Sequence, residues 1–352
     1  MSELQLERFN ILLVEDNVFV RNTLEDLLRY FKIEQIKTAR DGEEAIAFLK
    51  EMSRARHPGP DIIISDLIMS PINGQLLLRW VRTAKESPNR FVPFIMVSGA
   101  ADKEYVTSAR DLGVTEFLAK PFSVNSVYGH IAQVIHRPRR FIATQEYFGP
   151  DRRRAGSSRR IGDKNRRREN DDHVTNVYSA EKVTKAKNVS DVWCFRLPNT
   201  LKEKAGGGLG SEIPQIPADI LEQAEQSLER AVLDFTTWAK EYLQNLGSLC
   251  DEARDNEIKR LSKFAEINTL AHELRGQGGT FGYPLISVLG KMLYDSTYEG
   301  CPLTDNQVEI VRAHIDAMRA VIRDKVAGGG GQVGKELLAS LKQAIHRYEV
   351  ID

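Results

Sequence analysis

Cysteine is scarce in this 352-residue sequence: Cys194, Cys250 and Cys301 are far apart and odd in number. No CxxC pair or His/Cys metal spacing accompanies them, which argues against a disulfide framework and a thiolate metal site. They read as free thiols of a reducing compartment. Long apolar runs are also missing, and none reaches the roughly 18 residues needed to cross a bilayer as a helix. The start, Met1-Ser2-Glu3-Leu4-Gln5-Leu6-Glu7, lacks the basic-then-apolar order of a secretion signal. A cytoplasmic protein is the expectation. Gly206-Gly207-Gly208 is no nucleotide loop, because it neither follows a strand nor leads into Gly-Lys-Ser/Thr.

What is present is a globular composition, 41% hydrophobic and 28% charged, in a chain long enough for two domains. The net charge of zero hides a split. Between Arg137 and Arg168 stand 12 Lys and Arg against 3 Asp and Glu, an excess of nine that the remainder must offset. Blocks of this kind are usually solvated and flexible.

From Phe9 to His136 short β-rich runs alternate with amphipathic helical stretches. Strands are expected at Asn10–Val14, Ile36–Ala39, Ile62–Asp66, Phe94–Ser98 and Thr115–Leu118. Asp41-Gly42, Pro58-Gly59-Pro60, Asn73-Gly74 and Gly99 supply the breaks. This pattern predicts an α/β fold, a doubly wound (βα)5 parallel sheet covered on both faces, over residues 8–137. A basic, largely flexible linker follows at 138–216, with a possible ordered island at 191–198 around Trp193 and Phe195. From 217 to 350 helical periodicity dominates, as in the stripe Leu228, Val232, Phe235, Ala239, Tyr242 and Leu246. Four or five long helices there imply an all-α helical bundle.

In parallel sheets the working groups lie at the carboxyl ends of strands. Glu15, Asp16, Asp66, Ser98 and Lys120 all fall at or just past expected strand ends. One aspartate after a strand is usually a turn former or a helix cap. The set together points elsewhere. Three neighbouring carboxylates repel one another, and a hard divalent cation bound by oxygens, such as Mg²⁺, relieves that. An oxygen of Asp66 could then attack phosphorus in line, with Lys120 neutralising the transferred group and Ser98 donating a hydrogen bond to it.

These residues resemble a two-component response-regulator receiver domain. The likeness runs through Val14-Glu15-Asp16-Asn17, Asp66-Leu67-Ile68-Met69, Gly74, Val97-Ser98-Gly99-Ala100 and Ala119-Lys120-Pro121-Phe122. It implies that Asp66 is the phosphoacceptor, with Glu15, Asp16, Asp66 and the backbone carbonyl of Ile68 around Mg²⁺. It further implies a switch in which Ser98 moves toward the phosphate and Phe117 turns inward, and a cis Lys120-Pro121 peptide. One departure is visible: the family's proline four residues after the aspartate is Ser70, with Pro71 next.

A second candidate site is His272. At 100° per residue, Phe264, Ile267, Ala271, Leu274 and Gly278 share one helical face, and His272 points away from it, toward solvent. Arg275 and Gly276 neighbour it, three and four residues on. Glycine there costs about 1 kcal/mol of helix stability relative to alanine and leaves a flat surface for a partner. Arg275 can pair with phosphoryl oxygens, and a neutral imidazole is nucleophilic at cell pH. The run His272-Glu273-Leu274-Arg275-Gly276 is similar to the signature of histidine phosphotransfer (Hpt) domains, with Arg275 in place of the family's lysine. It implies a second phosphoacceptor at His272. His57, His130, His136, His173, His314 and His346 have no spacing that suggests metal binding or catalysis.

The functional expectation is a His–Asp phosphorelay protein, not an enzyme in the sense of a kinase, whose partners are histidine kinases or other receiver domains. Another reading is a phosphorylation-switched binding module. In it the bundle is silent, and Arg139-Arg140, Arg152–Arg154, Arg159-Arg160 and Arg166–Arg168 contact nucleic acid or anionic membrane. Only Phe141, Tyr147 and Phe148 interleave those arginines and no nucleic-acid fold motif accompanies them, which favours a tether.

Overall fold

The structure, a computed structural model, describes residues 4–99, 108–152, 174–180, 191–206 and 214–349. The chain divides into two compact units, one built from most residues up to Ala224 and the other mainly from Glu225 onward.

The first unit opens with β1 (Asn10–Val14), α1 (Val18–Tyr30), β2 (Gln35–Ala39), α2 (Gly42–Arg54), β3 (Ile62–Asp66), α3 (Gly74–Thr83), β4 (Phe94–Ser98), β5 (Glu116–Ala119) and α4 (Val124–His136). The five strands form a parallel sheet in the order β2-β1-β3-β4-β5. β3 and β4 are buried along their whole length, and β1 along all but its first residue. That burial is why these strands read as unbroken apolar runs. β2, at an edge, instead alternates exposed and partly buried residues before the buried Ala39. Helix starts are set by side-chain caps. Asn17 accepts from the Phe19 and Val20 amides at 3.0 Å each, and Asp41 from Glu43 and Glu44. Asn73 caps α3, and Ser123 with Ser126 forms a reciprocal capping box at α4.

The stretch expected as a tether differs from that expectation. Four strands, β6 (Phe141–Ala143), β7 (Phe148–Pro150), β8 (Val174–Val177) and β9 (Val192–Phe195), form a second sheet in the order β7-β6-β9-β8. β9 lies within the stretch 191–198 expected as an island around Trp193. A short helix, α5 (Thr200–Lys204), follows and is stitched to the first sheet's surroundings. Asn199 donates to the Ile135 carbonyl, Lys204 pairs with Asp61 at 2.7 Å, and the Gln5 amide donates to Ala205.

Aromatic packing holds the described strands of this second sheet against the first. The Phe91 ring, just before β4, lies 5.1, 5.1 and 5.0 Å from those of Phe141, Phe148 and Phe195. Arginines contribute by stacking: Arg90 covers Phe148, and Arg152 covers Tyr147. Arg82 is fully buried, donating to the carbonyls of Gly113, Arg90 and Val92. Burial lowers its pKa to about 9, so it stays charged at neutral pH. Arg139 and Arg140 lie among the described residues, whereas Arg153, Arg154, Arg159, Arg160, Arg166–Arg168 and His173 lie outside them.

The second unit is all-α. The 38-residue α6 (Ala218–Asp255) leads through a 3-10 turn (Glu257–Lys259) into α7 (Arg260–Gly278), α8 (Pro284–Ser296), α9 (Asp305–Arg323) and α10 (Gly331–Glu349). α7 packs on α8, α8 on α9, and α9 on α10. Phe235 of α6 stacks on Phe281 at 5.1 Å. Phe264, Ile267, Ala271, Leu274 and Gly278 are buried along α7. Gly290 lets α7 and α8 approach closely, since a Cβ there would lie 2.9 Å from the Arg275 amide nitrogen.

Candidate functional site

In the sheet order the chain reverses direction between β1 and β3, and the crevice at such a point lies beyond the carboxyl ends of those strands. Glu15 and Asp16 follow β1, and Asp66 closes β3. The structure brings these three together, with one carboxylate oxygen from each lying within 4.8 Å of the others. Glu15 is buried, Asp66 is 7% exposed and Asp16 is intermediate. A set of oxygen donors alone, at this spacing, fits a hard divalent cation such as Mg²⁺.

Backbone register sets the rest of the site. Asp66 pairs with Val97, which puts Ser98 one residue further along the neighbouring strand. Ser98 pairs with Ala119, so Lys120 follows directly past the end of β5. Ser98 and Lys120 are both buried. Phe117 pairs with Met96, is partly buried and packs on the core beside the sheet. Ile68 is likewise partly buried against that core. The peptides Ser70-Pro71 and Lys120-Pro121 are both cis. Ala100 lies outside the described residues.

Three supports of this site had no clear sequence signal. Gly74 starts α3 directly under the phosphoacceptor candidate: a Cβ on it would lie 2.2 Å from the Asp66 carbonyl oxygen. Its amide donates to the Leu67 carbonyl at 3.1 Å, closing the loop that carries Ile68. Ser65 donates its hydroxyl to the Asp66 carbonyl at 2.9 Å. Arg21, on α1, donates to the Glu15 carbonyl. Only Gly74 stood in a quoted motif, and its contact with a carbonyl has no signature in residue type.

His272 sits mid-way along α7, in the other unit. It is partly buried, not fully open as its helical phase suggested, with the Tyr294 ring of α8 5.7 Å from the imidazole. Asn268, one turn earlier, donates to the Tyr294 carbonyl at 2.8 Å and to Thr297. Arg275 is intermediate and Gly276 exposed; a Cβ on Gly276 would meet nothing within 4 Å. Glu273 accepts from the Tyr242 hydroxyl of α6, and burial, then this bond, push the Tyr242 pKa up.

A doubly wound sheet with an acidic triad at its reversal point, a hydroxyl on the next strand end and a lysine past the one after defines a receiver domain. The profile of the family described as response regulator receiver domain matches residues 11–132. A probable chemotaxis protein CheY of Rhizobium etli is 32% identical over 129 residues, covering 36% of this chain and 93% of that protein. The chain belongs to this family of two-component signalling proteins through its first unit. The transcriptional regulatory protein PdtaR of Mycobacterium tuberculosis is 29% identical over 136 residues, 38% of this chain and 60% of that protein. The chemotaxis response regulator CheY4 of Vibrio cholerae aligns over 36% of this chain and 98% of its own, at 27% identity and a TM-score of 0.31. Among the described residues, no helix is long and apolar enough to cross a membrane.

Proposed function

We propose that the chain is a phosphorelay protein of the cytoplasm in which Asp66 accepts a phosphoryl group and His272 carries or relays one. The observation that carries this reading is the convergence of Glu15, Asp16 and Asp66 within 4.8 Å, at the reversal point of a sheet whose next strand ends lead to Ser98 and Lys120.

In the transfer, a carboxylate oxygen of Asp66 attacks the phosphorus of a phosphohistidine on a histidine kinase or phosphotransfer protein. The new P–O bond forms as the P–N bond breaks, and the departing imidazole takes a proton from solvent. Lys120 pairs with the phosphoryl oxygens, and Ser98 donates to one of them. Glu15, Asp16, Asp66 and the Ile68 carbonyl would hold Mg²⁺, which when bound supplies positive charge against the carboxylates and the phosphoryl group. Phe117 would turn further inward as the hydroxyl of Ser98 engages the phosphate.

At His272 the imidazole would take a phosphoryl group from, or give one to, an aspartyl phosphate of a receiver. Arg275 would hold its oxygens, and Gly276 would leave room for the partner. The open space at Gly276 supports this: packing within the bundle does not require a glycine there, so its helix cost of about 1 kcal/mol has no local structural return. The chain is a phosphoacceptor and not a kinase in this reading. Nucleic acid is a less favoured partner, because two arginines of the basic block are engaged within the fold: Arg139 donates to the carbonyls of Asp151 and Thr115, and Arg152 donates to the Asp111 carbonyl and stacks on Tyr147.

The test is phosphotransfer from a phosphorylated histidine kinase, and onward to a separate receiver, using the full chain. Asp66→Ala should abolish acceptance from the kinase, and His272→Ala should abolish exchange with the separate receiver. Onward delivery by the His272→Ala protein would refute the role of His272. Persistent labelling of Asp66→Ala by the kinase would refute that of Asp66.

A further inference from the structure

Arg21 lies in the second turn of α1, on the helix that follows the acid pair. Its Nη1 donates to the Glu15 carbonyl at 2.6 Å and reaches the Asp16 carbonyl at 3.4 Å. The guanidinium therefore addresses the backbone of both acids. Other bonds hold this loop less directly. The Glu15 amide donates to Ala39 at 3.1 Å, and the Asn17 amide makes a long 3.3 Å contact to the Glu15 carboxylate. Three carboxylates gathered within 4.8 Å tend to push the β1–α1 loop away from β3. A charge-assisted bond from a helix whose start is already fixed by Asn17 resists that movement.

We infer that Arg21 is a positioning residue for the cation site: by clamping the carbonyls of Glu15 and Asp16 it aims both carboxylates at Asp66. This rests on the reading of the acidic cluster as a Mg²⁺ site. The role predicts an effect opposite in sign to simple electrostatics. Removing a positive charge near a cation site should, by Coulomb's law alone, tighten cation binding. Removing an orienting partner behind metal ligands weakens affinity, by about 10–100-fold in known sites.

The experiment is calorimetric titration of the full chain with MgCl₂, without any phosphoryl donor, for wild type, Arg21→Ala, Arg21→Lys and Asp16→Asn. Arg21→Ala should raise the Mg²⁺ Kd about tenfold. Arg21→Lys, which keeps the charge and one donor group, should recover part of the loss. Equal or tighter binding by Arg21→Ala would overturn the inference while leaving the metal site standing. Circular dichroism and melting of each variant identify misfolding, and should Arg21→Ala misfold, the same rule applies to Arg21→Lys. Failure of the wild type to bind, or binding unchanged in Asp16→Asn, would overturn the metal reading and the role of Arg21 with it.

Discussion

Replacing Gly74 by alanine places a Cβ 2.2 Å from the Asp66 carbonyl oxygen, 3.1 Å from its carbonyl carbon and 3.2 Å from the Leu67 Cα. Carbon and oxygen pack at roughly 3.2 Å or more, so one side must move by about 1 Å. Both sides are backbone, so no rotamer change relieves the clash. Overpacking of this kind costs about 1–3 kcal/mol, and the displacement falls on the residue that carries the proposed nucleophile. A misplacement of about 1 Å can reduce a positioned reaction about 100-fold. The assays are urea unfolding and the initial rate of label incorporation from a phosphorylated kinase at saturating Mg²⁺. Gly74→Ala should lose stability and rate together. Wild-type stability with wild-type rate would show that the contact between Gly74 and Asp66 does not shape this site.

Phe195→Ala removes a buried ring that stands 5.0 Å from Phe91 and 5.9 Å from Phe148, and should cost about 3 kcal/mol. Amide exchange should accelerate at Phe141–Ala143 and Val192–Phe195 but not in β1; unchanged protection would mean that the second sheet does not depend on this cluster. His314 is buried on α9, its Nδ1 2.7 Å from the Ile310 carbonyl, and burial lowers its pKa below 6.5. The unfolded chain therefore gains a proton before the folded one as pH falls. This contribution to stability is present above about pH 6.5 and declines from there down toward the depressed folded value. His314→Gln should flatten the fall of the helical unit's melting temperature between pH 6.5 and 5, and an unchanged slope would assign that fall to other groups.

The first sheet was legible because its central strands β1, β3 and β4 are buried on both faces. Ile11–Val14, Ile62–Ile64 and Phe94–Val97 had to be apolar throughout, and polar residues could enter only at their ends, where the chemistry is. The breaks read at Asp41-Gly42 and Asn73-Gly74 fall at the starts of α2 and α3. The helical face of Phe264, Ile267, Ala271 and Leu274 followed from periodicity alone, as did the direction of His272 away from it. Its partial burial did not, because Tyr294 comes from another helix. The second sheet was hidden for two reasons. β6 and β7 have three residues each, too short to show alternation, and β6 pairs Phe141 with Phe195 across 54 positions. Arginine also misled: Arg139 and Arg152 count as charge in the basic block, yet in the fold Arg139 donates to the carbonyls of Asp151 and Thr115 and Arg152 stacks on Tyr147. Arg21, and the contact between Gly74 and the Asp66 carbonyl, escaped for a related reason, since both act on backbone oxygens.

The most direct test of two phosphoryl sites is to label the full chain through phosphorylated kinase and receiver partners in turn, then follow the label in acid and in alkali. Kinase-derived label should be lost in alkali and absent from Asp66→Ala. Receiver-derived label carried by Asp66→Ala should be acid-labile, alkali-stable and absent from Asp66→Ala/His272→Ala. A label unaffected by either substitution would contradict the account.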